Sequence, residues 1–94
     1  MFADLQLPDA VELDTKVRLA VAINQQLAKR RLTQAAAATK LAVNQPKISA
    51  LKHYRLEGSS VERLMGFLTA VGSDVEIRIQ PPKRSPGRIR VEAP

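Results

Sequence analysis

The chain contains no cysteine, a single histidine and only 3% aromatic residues, and no apolar run approaches membrane-spanning length. The missing cysteine excludes disulfides, thiolate metal sites and cysteine nucleophiles. His53 alone cannot build a multi-histidine metal site. Carboxylates are scattered, so no nucleophile, metal cluster or acid/base pair stands out, and neither an enzyme nor a bound cofactor is expected. The first residues are acidic where a secretory signal would be basic. With no membrane-spanning segment either, the expectation is a cytoplasmic protein without a membrane partner.

What is present fits one small domain. A length of 94 residues leaves neither half of a two-domain chain enough apolar surface to bury. Hydrophobic residues make up 45%, so a core is possible, built from Leu, Ile, Val and Ala. A core this small gives marginal stability, which a partner subunit would raise. The net charge is +6, and its distribution says more than its total. Residues 1–14 carry Asp4, Asp9, Glu12 and Asp14 and no basic residue. From Thr15 to Leu56 there are nine basic residues and no acidic one. Residues 57–80 mix both signs, and 81–94 are basic again. A solvated surface normally mixes signs, so this block points to a polyanionic partner.

Three stretches organise the chain: an arm over 1–8, a domain over 9–80, and a basic, proline-containing tail over 81–94. Asp9-Ala10-Val11-Glu12 has the form of a capping box, with Asp14 a competing start. A helix is predicted from there to about Arg31, with Val17, Ala20, Ile23 and Leu27 on one stripe and Leu19 widening it. Lys29, Arg30 and Arg31 suit the negative end of its dipole. Thr33 caps a second helix, Gln34 to Leu41, carried by the good helix formers Ala35 to Ala38. Asn44 caps a third, Gln45 to about Lys52 or His53, in which Pro46 is tolerated because it falls in the first turn. Ser59-Ser60-Val61-Glu62 supplies a second capping box, opening a helix with Val61, Leu64, Met65 and Leu68 on one face and a stop at Gly72. Asp74–Gln80 then alternates strictly, which predicts a half-buried strand carrying Val75, Ile77 and Ile79 on one side. Residues 88–92 alternate once more beyond a proline-glycine linker.

Helix, tight turn and helix over Thr33–Lys52 have a physical logic. The second helix must project into a DNA major groove roughly 12 Å wide while the first lies across the backbone and braces it. Ala37 and Ala38 permit a close crossing, and Leu41, Val43, Ile48 and Leu51 would bury the underside. Gln45, Lys47, Ser49, Ala50 and Lys52 remain outward. Glutamine can pair with adenine, and lysine can reach guanine or phosphate.

Leu32-Thr33-Gln34-x-x-Ala37-Ala38-x-x-Leu41-x-Val43-x-Gln45-Pro46-x-Ile48-Ser49-x-Leu51 resembles the phage-repressor class of helix-turn-helix proteins, the Xre family. More closely, the chain is similar to HigA-type antitoxins, which add a helix and a final hydrophobic strand. The resemblance covers roughly residues 9–80. It implies a mainly α, lambda-repressor-like bundle of about four helices followed by a C-terminal β-strand used for dimerisation. By the same resemblance Gln34 grips a phosphate, and Gln45, Pro46 and Ser49 face base edges. It also sets Lys47 and Lys52 near bases or phosphate; because most protein–DNA hydrogen bonds go to the backbone, Lys52 and Arg55 are read as phosphate contacts. Ala42 departs from the family, which has glycine in the turn. The turn must then form without a free left-handed residue, or the helix must run one residue longer.

A lone strand needs a partner. Asp74–Gln80 can pair with its copy in a homodimer or fold back on Arg88–Glu92 as a hairpin. The two-fold logic of palindromic operators favours the homodimer, with Val75, Ile77 and Ile79 at the contact and recognition helices about 34 Å apart. The tail can add phosphate contacts, fold on a partner protein or simply keep the chain soluble. The expected function is a DNA-binding repressor of double-stranded operator DNA, associated with the nucleoid. Its resemblance makes it an autoregulating antitoxin with a small RelE-like ribonuclease toxin as partner; a stand-alone Xre-type regulator is the alternative. RNA binding is a further alternative, opposed by the lack of aromatic stacking platforms.

Overall fold

The computed structural model describes residues 9–81 and 89–92. Four helices follow in order: α1 (Asp9–Lys29), α2 (Gln34–Leu41), α3 (Gln45–Lys52) and α4 (Val61–Ala70). α1 is the spine. It packs most extensively on α4 and touches α3, while α2 packs on α3. Its buried stripe is Leu19, Ala20, Ile23 and Leu27, with Val17 partly covered. Along it Glu12–Lys16 (3.5 Å) and Asp14–Arg18 (3.1 Å) pair at i,i+4, each with the acid N-terminal to the base. That is the favourable orientation for such pairs, though each contributes only about 0.2–0.5 kcal/mol. The first capping box falls on the Asp9 side chain, which lies outside the described residues; the backbone is already helical at Asp9.

The three remaining helices start on side-chain caps. Thr33 Oγ1 accepts from the Ala36 amide at 3.1 Å, Asn44 Oδ1 from the Lys47 amide at 2.9 Å, and Ser60 Oγ from the Arg63 amide at 3.0 Å. Each cap stabilises its helix by about 1 kcal/mol. The last corrects the expected box: Ser60, not Ser59, is the cap, and the third helical position is Arg63 rather than Glu62. Ser59 instead turns inward, buried, with no hydrogen-bond partner for its Oγ among the described residues.

All four helices end in the same closure. The Leu32, Val43, Arg55 and Ser73 amides donate five residues back, to Leu27, Ala38, Ala50 and Leu68 carbonyls at 3.2, 2.9, 2.8 and 3.0 Å. The residue before each donates three back, which completes a Schellman motif. That closing residue must be left-handed, and it is Arg31 (φ 54°), Ala42 (φ 56°), Tyr54 (φ 57°) and Gly72 (φ 87°). Only the fourth is the residue type that adopts this conformation freely. Ala42 is therefore itself the left-handed residue of the turn; α2 does not run on to avoid it. α1 stops at Lys29, so Arg30 and Arg31 belong to its closing turn.

The core gathers side chains from every helix and from the α3–α4 connection. Ile23, Ile48, Leu51, Leu56, Leu64 and Val71 are its largest fully buried members. Burying each is worth roughly 1.5–3 kcal/mol. Phe67 is buried with them, beside the expected Leu64 and Leu68, while Val61 and Met65 are only partly covered.

The expected C-terminal strand is not formed: the described residues contain no strand. Val75 and Val91 rest against the core, but Ile77 and Ile79 are 66% and 95% exposed. The alternation of Asp74–Gln80 needs a ladder partner to become a strand. The described part of the tail, residues 89–92, does not supply one, so the alternative hairpin is not formed among the described residues. Arg78–Glu76 and Arg90–Glu92 pair only locally, at 3.1 and 2.7 Å. The N-terminal arm and residues 82–88 and 93–94 of the tail lie outside the described residues.

Candidate nucleic-acid interface

α2, the Ala42-Val43 turn and α3 form a helix-turn-helix held from beneath. Ala37 and Ala38 are buried at the crossing, where a larger side chain would push the helices apart. Ile48 and Leu51 anchor the inner face of α3. A further tie comes from α1, where the Asn24 amide Nδ2 donates to the Leu51 carbonyl at 3.1 Å. α3 is thus pinned at its start by Asn44, along its floor by two core residues, and at its end by α1.

The sequence-predicted residues distribute unevenly over this frame. Gln45 and Pro46 stand exposed on the first turn of α3, and neither α2 nor α3 has an acidic residue in its first turn. Those amide ends carry partial positive charge. Gln34 occupies the first helical position of α2, half-buried. Ser49 and Ala50 are half-buried, less outward than the helical spacing suggests. Lys47 is half-buried as well, and its Nζ donates to the Gly58 carbonyl at 2.8 Å, which staples α3 to the following loop. It reaches a nucleic acid only by leaving that carbonyl. Lys52 and Arg55 are exposed at the far end of α3. The His53 ring lies back on its own helix, Nδ1 2.9 Å from the Ser49 carbonyl. Val75, Ile77 and Ile79 lie away from this motif in sequence and belong to the segment after α4.

Two residues escaped the sequence reading. Arg31 and Tyr54, the left-handed closures of α1 and α3, line one cleft of about 330 Å³ together with Asn24 and Lys52. Arg31 was legible only as part of a basic block, and nothing in the local pattern singled out Tyr54. Among the described residues no group of three or more His, Cys, Asp or Glu is placed to hold a metal ion. No helix there is long and apolar enough to cross a membrane. The site offers amide, hydroxyl and cationic hydrogen-bond donors on a rigid helix, the equipment for recognising a polyanion.

The comparisons agree with this geometry. A family described as a helix-turn-helix domain matches residues 1–80. No curated protein matches significantly. A solved structure named as an XRE-family transcriptional regulator is similar with 56% sequence identity and a TM-score of 0.83, over 92% of this chain and 99% of that one. A family match across most of the chain, joined to a relative this similar over nearly its whole length, places the protein in the XRE family of helix-turn-helix transcriptional regulators.

Proposed function

We propose that the protein is a sequence-specific repressor that reads an operator duplex with α3. The observation that carries this is the exposed Gln45-Pro46 turn at the front of a helix whose inner face is wholly buried. Such a helix can be pressed into a groove without rearranging. Gln45, Pro46 and Ser49 face base edges, joined by Lys47 if its Nζ gives up Gly58. Gln34, Lys52 and Arg55 hold phosphates on either side.

The operator is palindromic and the active species a homodimer. Support comes from the segment Asp74–Gln80. Laid antiparallel on its own copy about Ile77, it sets Ile77 against Ile77, Val75 against Ile79, and Glu76 against Arg78, twice over by symmetry. Apolar and oppositely charged cross-strand pairs each add roughly 0.2–1 kcal/mol. The exposed Ile77 and Ile79 would be covered by such a partner.

The finer reading is an antitoxin that represses its own operon while binding a small RelE-like ribonuclease. It rests on the resemblance of this short chain to HigA-type proteins, and a stand-alone regulator fits the same fold equally. A stable small basic partner that co-purifies separates the two.

Binding to a fluorescent fragment of the protein's own promoter, against a scrambled duplex and a duplex RNA, tests the proposal. At about 150 mM salt non-specific binding falls to roughly 10⁻⁴–10⁻⁶ M. A preference of ~10³-fold or more for the promoter is expected. Equal, salt-sensitive binding to all three would overturn it. Ile77→Asp should convert a dimer, sized by light scattering, to monomer.

A further inference from the structure

We propose that the cleft between the C-terminal ends of α1 and α3 is an anion-binding site in which Arg31, Lys52 and Tyr54 clasp one backbone phosphate of the duplex. The inference rests on the DNA-binding reading and adds to it residues outside the recognition helix.

Four observations support it. First, Lys52, the last residue of α3, lines this open surface cleft of about 330 Å³. A ligand there sits at the edge of whatever groove α3 enters. Second, its ionisable lining is Arg31, Lys52 and Tyr54, with no carboxylate. None of these three side chains makes an ion pair or hydrogen bond among the described residues. Third, the floor is apolar, from Leu27 and Leu32, which lowers the local dielectric and strengthens a charged contact made above it. Fourth, Arg31 and Tyr54 both occupy left-handed positions where glycine would be unstrained. The two helix closures thereby bring both side chains to one cleft.

The opposing effect is the partial negative charge of two helix C-termini, about half an elementary charge each. Their Leu27 and Ala50 carbonyls, with Ala28 and Leu51, are already engaged by the Schellman bonds. Two full positive charges on long side chains, reaching outward, outweigh what is left. Asn24 fixes the arrangement. Its bond to the Leu51 carbonyl holds the α1 wall at a set distance from α3.

Phosphate chemistry has two sources, the DNA backbone and free phosphate, and one experiment on the full chain distinguishes them. Promoter affinity is measured from about 50 to 200 mM salt, where each phosphate contact contributes about 0.9 to the slope of log K against log salt. Arg31→Gln and Arg31→Gly should each lower that slope, by up to about 0.9 per protomer since Lys52 still faces the same phosphate, and weaken binding about 10-fold. Arg31→Gly should nevertheless melt higher than the native protein, so a loss of binding cannot be a loss of fold. Arg30→Gln is the control, because the neighbouring guanidinium packs on Gly72 at the end of α4 instead of lining the cleft. It should leave the slope nearly unchanged. The proposal is overturned if Arg31→Gly melts higher with unchanged affinity and slope, or if Arg30→Gln loses as much as Arg31→Gln. Should the native protein bind no duplex at all, the DNA reading fails on its own. Titration with inorganic phosphate then decides. Saturable NMR shifts of the Asn24 side-chain amide that disappear in Arg31→Gln assign the cleft to free phosphate; no shifts overturn it.

Discussion

Replacing Ala42 by glycine should make this protein more stable while leaving its DNA affinity alone. Ala42 sits at φ 56°, ψ 44°, in the turn between α2 and α3. An L-residue held there costs roughly 1–2 kcal/mol, because its Cβ crowds the following carbonyl. Glycine removes that crowding but leaves the unfolded chain freer, which takes back about 0.4–1 kcal/mol. The methyl group is exposed, so no core contact is lost with it. The net gain is about 0.5–1 kcal/mol, and for a domain this small each kcal/mol moves Tm by about 4–8 °C. Thermal melts followed by circular dichroism should therefore rise by about 2–8 °C, with the urea m-value unchanged. Ala42→Val, a β-branched residue in the same conformation, should move Tm the other way. Promoter affinity should stay within twofold in Ala42→Gly, since the Ala42 and Val43 amides keep their acceptors and Asn44 still caps α3. A lower Tm for Ala42→Gly, or a higher one for Ala42→Val, would refute the argument that the turn is strained.

Other substitutions test other parts of the account. Ser59→Ala should be neutral or stabilising by up to about 1 kcal/mol in urea titration, because it deletes a buried hydroxyl that has no partner among the described residues. A loss above that would reveal an unrecognised hydrogen bond. Leu51→Ala opens a cavity where α3 meets the core and should destabilise by about 2–5 kcal/mol, a large part of the total for a domain this size. Lys47→Met should lower stability modestly by cutting the tie to Gly58. Unless Lys47 leaves that carbonyl for a phosphate, the salt dependence of DNA binding should not change, and a slope reduced by about 0.9 per protomer would show that it does leave.

The parts of the fold that were legible in the sequence are those controlled by local chemistry. α2 and α3 lie where the caps Thr33 and Asn44 and the first-turn Pro46 put them. The α1 stripe of Leu19, Ala20, Ile23 and Leu27 was readable because helical spacing and burial agree there. What escaped depended on distant partners or on backbone conformation. Leu56, in a stretch read as a plain connection, is almost fully buried because the core closes over it, and no periodicity marks a single residue. The left-handed closures at Arg31 and Tyr54 lack the glycine that would have announced them. The segment Asp74–Gln80 has the pattern of a strand, but a pattern states only which side would be buried, and the partner must come from elsewhere. On α3 the exposure of Gln45 was legible from helix geometry, while Pro46 was singled out only by the family resemblance. The tether of Lys47 to Gly58 was not, because a flexible side chain chooses its acceptor in three dimensions.

The left-handed helix ends also bear on how the sequence can change. Every alanine codon and every arginine codon becomes a glycine codon by one base substitution, whereas tyrosine needs two. A randomly mutated gene pool selected only for survival of heating would thus reach glycine at 42 and 31 in one step and miss it at 54. Passing the survivors through a second selection for operator occupancy would sort them further: glycine at 42 should persist, while glycine at 31, equally relieved, should be discarded. Two positions with the same backbone geometry would then have different evolutionary fates, decided by the charge one of them carries.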